Sequence, residues 1–143
     1  MNARIKWVEN VMFVAESGTG HAIVLDGAPE SGGKNLGMRP LELMALSVGS
    51  CSSYDVVTIL KKARQEITSC EAEVTAVRVD ATPAVFESIH LHFKVGGVDL
   101  SDKQVQRAVE LSAEKYCSAS IMLKNAGVKV THDFEILAPQ SAE

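Results

Sequence analysis

Alternating hydrophobic and polar positions at the start of the chain predict short strands. Residues 4–8 alternate, part of 11–15 does the same, and 21–26 form a third such run after turn residues 17–20. An alternation of period two is typical of a strand with one buried face and one solvated face. These segments predict an antiparallel meander, followed over 27–37 by an exposed loop rich in Gly, Pro and Ser.

A helical pattern begins at Pro40 and continues to about residue 64. Proline is favoured at the first position of a helix, so Pro40 is a start signal. Leucine, valine and isoleucine then recur at helical spacing, on more than one side of the helix. We therefore expect this helix to be central and buried.

A second group of strands follows the helix. Residues 71–79 and 89–95 alternate, with an interruption at 81–84 that contains proline. They predict a hairpin with one face on a helix and the other in water. Residues 128–136 predict one more strand that closes the chain.

Two helices are predicted between the hairpin and the last strand. The first runs to about residue 116, with Ser101 as N-cap and Gln104 reaching back in a capping box. The second covers 118–124 and stops near Gly127, a glycine-type C-cap signal. The order of strands, helix, strands, helices and strand predicts an α+β fold with antiparallel sheets, in one domain over residues 1–143.

Composition narrows the class of protein. At 143 residues the chain can bury a core without disulfides or metals. The net charge is −4 and no stripe of Lys and Arg is present, which argues against nucleic-acid partners. We see no apolar run near the length that a bilayer requires, and the N-terminus lacks the apolar core of a signal peptide. We expect no membrane partner and a cytoplasmic location, where thiols stay reduced.

Cys51 stands in a run of small residues, 49–53, inside an otherwise strong helix. Glycine alone costs about 1 kcal/mol relative to alanine in a helix interior. Such local conflicts are found mainly at functional or close-contact sites. The run therefore indicates either space around a reactive thiol or close helix packing with Cys51 as a small buried hydrophobe.

The other two cysteines differ in their surroundings. Cys117 falls at a break between two predicted helices, where a helix N-terminus and the nearby Lys115 would favour its thiolate. The alternative is an ordinary half-buried cysteine at a helix junction. Cys70 is followed by Glu71, whose carboxylate disfavours a thiolate, so we interpret Cys70 as structural. An odd cysteine count in a cytoplasmic protein points to free or catalytic thiols.

His90 and His92 share one face of a predicted strand. Without a third ligand in sequence reach, we interpret them as a solvent-facing pair and not as metal ligands. The sequence contains no CxxC, HExxH, Walker or GxSxG pattern. We therefore expect neither a metal nor a cofactor.

Two blocks of sequence carry a family resemblance. Residues 39–51, RPLELMALSVGSC, resemble the central-helix signature of the OsmC/Ohr (organic hydroperoxide resistance) family, and 115–123, KYCSASIML, resemble its second cysteine segment. Residues 3–7 and 89–93 are also similar, and the details are closest to the YhfA-like branch. The resemblance implies sheets wrapped around a long central helix, an intertwined homodimer with its site at the subunit interface, and reduction of organic hydroperoxides.

The resemblance also implies roles for residues. Cys51 would be the peroxidatic thiolate that becomes a sulfenic acid, and Cys117 would resolve it as a disulfide that a dithiol then reduces. Peroxidases of the family carry a Glu where this chain has Leu41, beside an Arg from the N-terminal strands. Glu42 and Arg39 are the candidates here, although nine residues place Glu42 about 180° from Cys51 on a continuous helix.

Two other functions fit the same sequence. A binding module would use the small-residue helix to hold a hydrophobic ligand at the dimer interface, with the cysteines as redox sensors. A purely structural protein would bury inert thiols.

Overall fold

The computed structural model describes residues 1–138, and the α+β class is confirmed. The chain forms two compact units, Met1–Met44 and a second that starts at Ala45. The elements are β1 (Ala3–Glu9), β2 (Met12–Ser17), β3 (Ala22–Leu25), α1 (Pro40–Lys62), β4 (Glu66–Arg78), β5 (Phe86–Val98), α2 (Asp102–Leu111), α3 (Ser118–Asn125) and β6 (Lys129–Leu137).

The first unit is the predicted antiparallel meander, in the order β1-β2-β3. The loop after β3 is held by Asp26, which is only 3% exposed. Its carboxylate accepts the backbone N–H groups of Gly27 at 2.7 Å and of Lys34 and Leu36 at 3.0 Å each. One buried side chain thereby fixes both ends of the glycine-rich loop, because three donors converge on it.

The second unit contains the other sheet, in the order β4-β5-β6. β4 and β5 form the predicted antiparallel hairpin, with strands longer than the alternating runs. The expectation of purely antiparallel sheets is wrong at β6, which pairs with β5 in parallel. The reason is the connection: two helices lie between β5 and β6, and a long crossover returns the chain in the same direction.

The core of the second unit lies on one face of β5. Ile89, Leu91, Phe93 and Val95 are fully buried there. Helices α1 and α2 contribute further fully buried or nearly fully buried apolar side chains, namely Val48, Val56, Leu60, Val105, Ala108 and Val109. Close packing of these side chains is the main source of stability for this unit.

Helix α1 is buried on one face only, which corrects the expectation of burial on several sides. Its buried residues are Val48, Gly49, Ser52, Val56 and Leu60. They recur at intervals of one, three and four, as one stripe of a helix does. Leu46 and Tyr54 are 50% and 74% exposed, so among residues 1–138 nothing covers these two side chains on the remaining surface of the helix.

Two predicted details of the later helices are wrong. The Ser101 backbone N–H donates to Oε1 of Gln65 at 2.8 Å, so it is not available to Gln104, and Ser101 makes no side-chain cap. The predicted helix to residue 116 instead ends at Leu111 and widens into a π-helical turn, Ser112–Tyr116. Both differences arise from contacts with distant residues, which local sequence does not reveal.

Within the part of the chain that the structure describes, α1 is long and apolar enough to cross a bilayer by length and composition. This finding corrects the expectation that no apolar run approaches that length. Core helices of globular proteins meet the same criterion, and α1 contributes Val48, Val56 and Leu60 to the core of the second unit.

Candidate thiol site

Three side chains of the second unit converge at the centre of the candidate site. Cys51 and Asp55 lie on one face of α1, one turn apart, because residues four apart are neighbours on a helix surface. Cys117 is the N-cap of α3. The two sulfur atoms and a carboxylate oxygen of Asp55 all lie within 4.8 Å of one another. The structure thus brings together the two predicted cysteines and adds an aspartate that the sequence did not single out.

The small residues around Cys51 allow close packing. A Cβ atom on Gly49 would lie 2.7 Å from Cγ2 of Val74 on β4, so only glycine fits without a shift. The Ser53 hydroxyl donates to the Gly49 carbonyl at 2.8 Å, which satisfies a polar side chain inside the helix. Residues 49–53 therefore agree with both interpretations of the small-residue run. They allow α1 to pack closely on β4, and they also surround the thiol of Cys51.

The π-helical turn before Cys117 connects α2 to α3 along the chain and contacts α1 through Ser112. The Cys117 N–H donates to the Ser112 carbonyl at 2.9 Å. The buried Ser112 hydroxyl lies 3.1 Å from the Ser52 carbonyl and 3.5 Å from Oδ2 of Asp55. Insertions of this kind are frequent at functional sites, and here the wider turn directs Ser112 toward α1.

Cys117 is fully buried and surrounded by hydrogen-bond donors. The Ser120 N–H donates to its sulfur at 3.4 Å, in the position where a capping side chain accepts a bond from the first turn of a helix. Burial raises the pKa of the Cys117 thiol, but the hydroxyls of Ser120 and Ser52, the Ser120 N–H and the Cys51 thiol outweigh it and hold that pKa below its usual value. Lys115, which we expected to help, instead lies 5.4 Å from the ring centre of Tyr116.

Cys51 is partly exposed and has the opposite electrostatic environment. Burial raises the pKa of its thiol, the Ala119 N–H lowers it, and the neighbouring Cys117 and Asp55 raise it further. Burial also raises the pKa of Asp55, against the hydrogen bond from Ser112. Of the two thiols, Cys117 therefore loses its proton more readily, and the more accessible sulfur is that of Cys51.

Arg39 and Glu42 make local bonds in the first unit. The Glu42 carboxylate accepts the Arg39 backbone N–H at 2.8 Å. The Arg39 guanidinium donates to Oδ1 of Asn35 at 2.7 Å and to the Gly37 carbonyl at 3.1 Å. These contacts cap the start of α1 and tie it to the preceding loop.

The sequence analysis did not identify four residues of the thiol site: Ser52, Asp55, Ser112 and Ser120. For two of them the sequence spacing could have indicated a place beside a cysteine. Asp55 follows Cys51 by four residues, a spacing that places side chains together on a helix. Ser120 follows Cys117 by three, the spacing between an N-cap and the N–H that it accepts. Ser112 had no such signal, because its position depends on the π-helical turn.

The remaining candidates lie elsewhere in the second unit. His90 and His92 share a face of β5, as predicted. Their rings contact Oδ1 of Asp133 at 3.3 and 2.5 Å, and the carboxylates of Asp133 and Glu135, which accept hydrogen bonds from the His92 ring, raise the pKa of His92. Cys70 lies in β4, where burial raises the pKa of its thiol.

A cleft of about 450 Å³ lies beside Asp55. Its walls combine apolar side chains with two cations, and the lining includes Ile59, Lys62, Arg107, Leu111 and Tyr116. An apolar wall with a few charged groups is typical of a site for an amphipathic ligand.

Comparison with known proteins places this arrangement in a family. A family model described as "OsmC-like protein" matches residues 32–133. The chain is 48% identical to Protein YhfA of Escherichia coli strain K12, over 96% of this chain and 99% of that protein. A solved hypothetical protein of Aquifex aeolicus VF5 is 29% identical, with a TM-score of 0.78, and covers 96% of this chain and 97% of its own. The organic hydroperoxide resistance protein OhrB of Bacillus subtilis shares the fold at 19% identity, with a TM-score of 0.61, and covers 94% of this chain and 98% of its own. The predicted family is confirmed: this chain belongs to the OsmC-like proteins.

Proposed function

We propose that the protein reduces organic hydroperoxides with Cys51 and Cys117 as its redox pair. The observation that carries the proposal is the pairing itself, in which a partly exposed thiol lies within 4.8 Å of a buried one. Membership of a family with hydroperoxide resistance proteins among its solved structures supports this function. A cytoplasmic location, where a dithiol can keep both cysteines reduced, completes the proposal.

The first step is a proton transfer within the pair. Cys117 holds the negative charge because Ser52 and Ser120 donate to it, and its thiolate accepts a hydrogen bond from the Cys51 thiol. Movement of that proton from Cys51 to Cys117 produces a nucleophilic thiolate at the accessible position. Cys117 thereby acts as the base that activates Cys51.

The second step is attack on the peroxide. The Cys51 thiolate attacks the terminal oxygen of ROOH, so that an S–O bond forms as the O–O bond breaks, and the departing alkoxide takes a proton from solvent to give an alcohol. Cys51 is oxidised to a sulfenic acid. Cys117 then attacks the Cys51 sulfur and water leaves with the Cys117 proton. This step forms a disulfide that an external dithiol reduces by exchange.

Closure of the disulfide brings the two sulfurs together from a separation of at most 4.8 Å. A disulfide needs its sulfurs about 2.05 Å apart, which requires Cys51 to turn toward the rigidly capped Cys117. We assign Arg39 and Glu42 to holding the first turn of α1, since their bonds are local to it. The exposed apolar residues Leu46 and Tyr54 on α1 support a homodimer.

The test treats reduced protein with one equivalent of an alkyl hydroperoxide and follows intact mass and disulfide mapping. We expect loss of two hydrogens, a Cys51–Cys117 bridge and recovery with a dithiol. Cys51→Ser should abolish turnover, and Cys117→Ser, which lacks both the base and the resolving thiol, should form the sulfenic acid more slowly and stop there. Cys70→Ser is the matched control that should react normally. Undiminished turnover in Cys51→Ser would refute the proposal.

A second function is favoured by the lining of the cleft beside Asp55 and by the environment of the Cys51 thiol. The cleft beside Asp55 presents Lys62 and Arg107 next to apolar Ile59 and Leu111, and the raised pKa of Cys51 slows its reaction with peroxide. A binding module for an anionic amphipathic ligand would use the same cleft. Displacement of a fluorescent fatty acid that Lys62→Ala weakens, with no peroxide turnover, would establish this function in place of the first.

A further inference from the structure

We propose that the reduced protein binds a soft divalent cation, with zinc as the reference ion, through Cys51, Asp55 and Cys117. The proposal goes beyond peroxide reduction, because it assigns a second ligand to the same thiols. It also replaces the expectation, drawn from sequence motifs, that the chain binds no metal. The paired i, i+4 ligands on α1 and the single ligand from the start of α3 have no sequence motif, since they meet only in the folded chain.

The ligand set has the chemistry and spacing that zinc requires. Zinc binds thiolate sulfur at about 2.3 Å and carboxylate oxygen at about 2.0–2.2 Å, so tetrahedral ligands lie roughly 3.5–3.8 Å from one another. All three ligand atoms here lie within 4.8 Å of one another. A small inward rotation of Cys51 and Asp55, both only partly buried, closes the remaining gap around an ion.

The charges of the site favour a cation. Two thiolates and a carboxylate within 4.8 Å of one another would carry three negative charges in a partly buried cluster, and these charges would repel one another. A divalent ion removes that repulsion. It replaces the thiol protons, which pass to solvent, and it leaves one coordination position for water.

Neighbouring residues orient two of the ligands. Ser112 donates toward Oδ2 of Asp55 at 3.5 Å, which leaves the other carboxylate oxygen for the ion. The Ser120 N–H holds the Cys117 sulfur at 3.4 Å. Outer contacts of this kind fix ligand geometry in metal sites. Of the two ligand sulfurs, that of Cys51 is the more exposed.

Metal binding and thiol oxidation exclude each other at this site. Zinc bound to both sulfurs withdraws negative charge from them and so lowers their nucleophilicity toward a peroxide, and a Cys51–Cys117 disulfide removes two of the three ligands. Zinc should therefore slow oxidation of the reduced protein by a hydroperoxide, and oxidation by that hydroperoxide should release bound zinc.

The test titrates reduced and disulfide-bonded protein with zinc against a chromophoric chelator, and with cobalt as a spectroscopic substitute. We expect one ion per chain in the reduced form, sulfur-to-cobalt charge-transfer absorption, and no binding in the oxidised form. Calorimetry at neutral pH in buffers of different ionisation enthalpy should show release of about one to two protons per zinc.

Variants locate the ion independently of peroxide turnover. Asp55→Asn should weaken zinc binding about tenfold or more, while Asp80→Asn, at an exposed aspartate, should leave it unchanged. Cys51→Ser should abolish the charge-transfer band, and Cys70→Ser should preserve it. Absence of binding in the reduced protein, or binding that survives Cys51→Ser and is lost in His92→Gln, would overturn the proposal.

Discussion

Asp55 lies one helical turn beyond Cys51, with its carboxylate within 4.8 Å of the Cys51 sulfur. This placement brings the Asp55 carboxylate, which carries a negative charge when ionised, next to the accessible thiol of Cys51. It adds to burial and to the neighbouring Cys117 in keeping the pKa of Cys51 above its usual value. The site therefore disfavours the Cys51 thiolate relative to the Cys117 thiolate, which has the hydrogen-bond donors.

Asp55→Asn should make Cys51 more reactive. Removal of one partly solvated charge should raise the rate of Cys51 alkylation at neutral pH by roughly two- to fivefold. The measurement is the pH profile of alkylation by iodoacetamide, which should move to lower pH. Asp80→Asn serves as the control, and an identical profile for Asp55→Asn and the parent protein would contradict this role for Asp55.

Ser120→Ala should slow formation of the disulfide. The substitution removes a hydroxyl that stabilises the Cys117 thiolate. It keeps the Ser120 backbone N–H, which donates to the Cys117 sulfur at the start of α3. Hydrogen bonds to charged groups contribute about 1.5–3 kcal/mol, so we expect closure of the disulfide to slow about tenfold or more. Quenched single-turnover mass spectrometry measures it. Ser118→Ala, at an exposed serine in the same helix, should react like the parent protein.

Gly49→Ala should destabilise the protein although alanine is the better helix former. The added Cβ would meet Cγ2 of Val74 at 2.7 Å, and overpacking costs typically about 1–3 kcal/mol against a helix gain of about 1 kcal/mol. Urea denaturation measures the free energy of unfolding. In a Val74→Ala background the same substitution should stabilise, so additive effects of the two changes would rule out this contact as the cause.

Asp26→Asn should destabilise the loop after β3 in a way that depends on pH. The N–H groups of Leu36, Lys34 and Gly27 hold the pKa of Asp26 below its ordinary value of 3.8. A depressed pKa in the folded state contributes stability above the unfolded pKa, and this contribution is lost as pH falls through the folded value.

The stability difference between Asp26→Asn and the parent protein should therefore be largest near neutral pH and shrink below pH 3.8. Thermal unfolding followed across acidic pH measures it. Glu30→Gln, an exposed acid in the same loop, is the control. A difference that stays constant with pH would show that the charge of Asp26 does not hold the loop.

The sequence by itself determined the local structure and the identity of the thiols. Alternation set the strands, helical spacing and Pro40 set α1, and the two cysteine blocks indicated the family. These features depend on neighbours a few residues away, so a linear pattern contains them. The cysteine pair came from the family resemblance, because composition and spacing alone left Cys51 and Cys117 open to inert interpretations.

Only the tertiary structure decided how the pieces meet. The parallel pairing of β6 with β5, the contact of Ser112 with the Ser52 carbonyl and the contact of Gln65 with Ser101 all join residues far apart in sequence. The same is true of the charge distribution in the thiol pair. Donors from α1 and α3 surround Cys117, whereas burial and Asp55 act on Cys51. A pKa depends on three-dimensional burial, hydrogen bonds and nearby charges, and the chain specifies these only once it has folded.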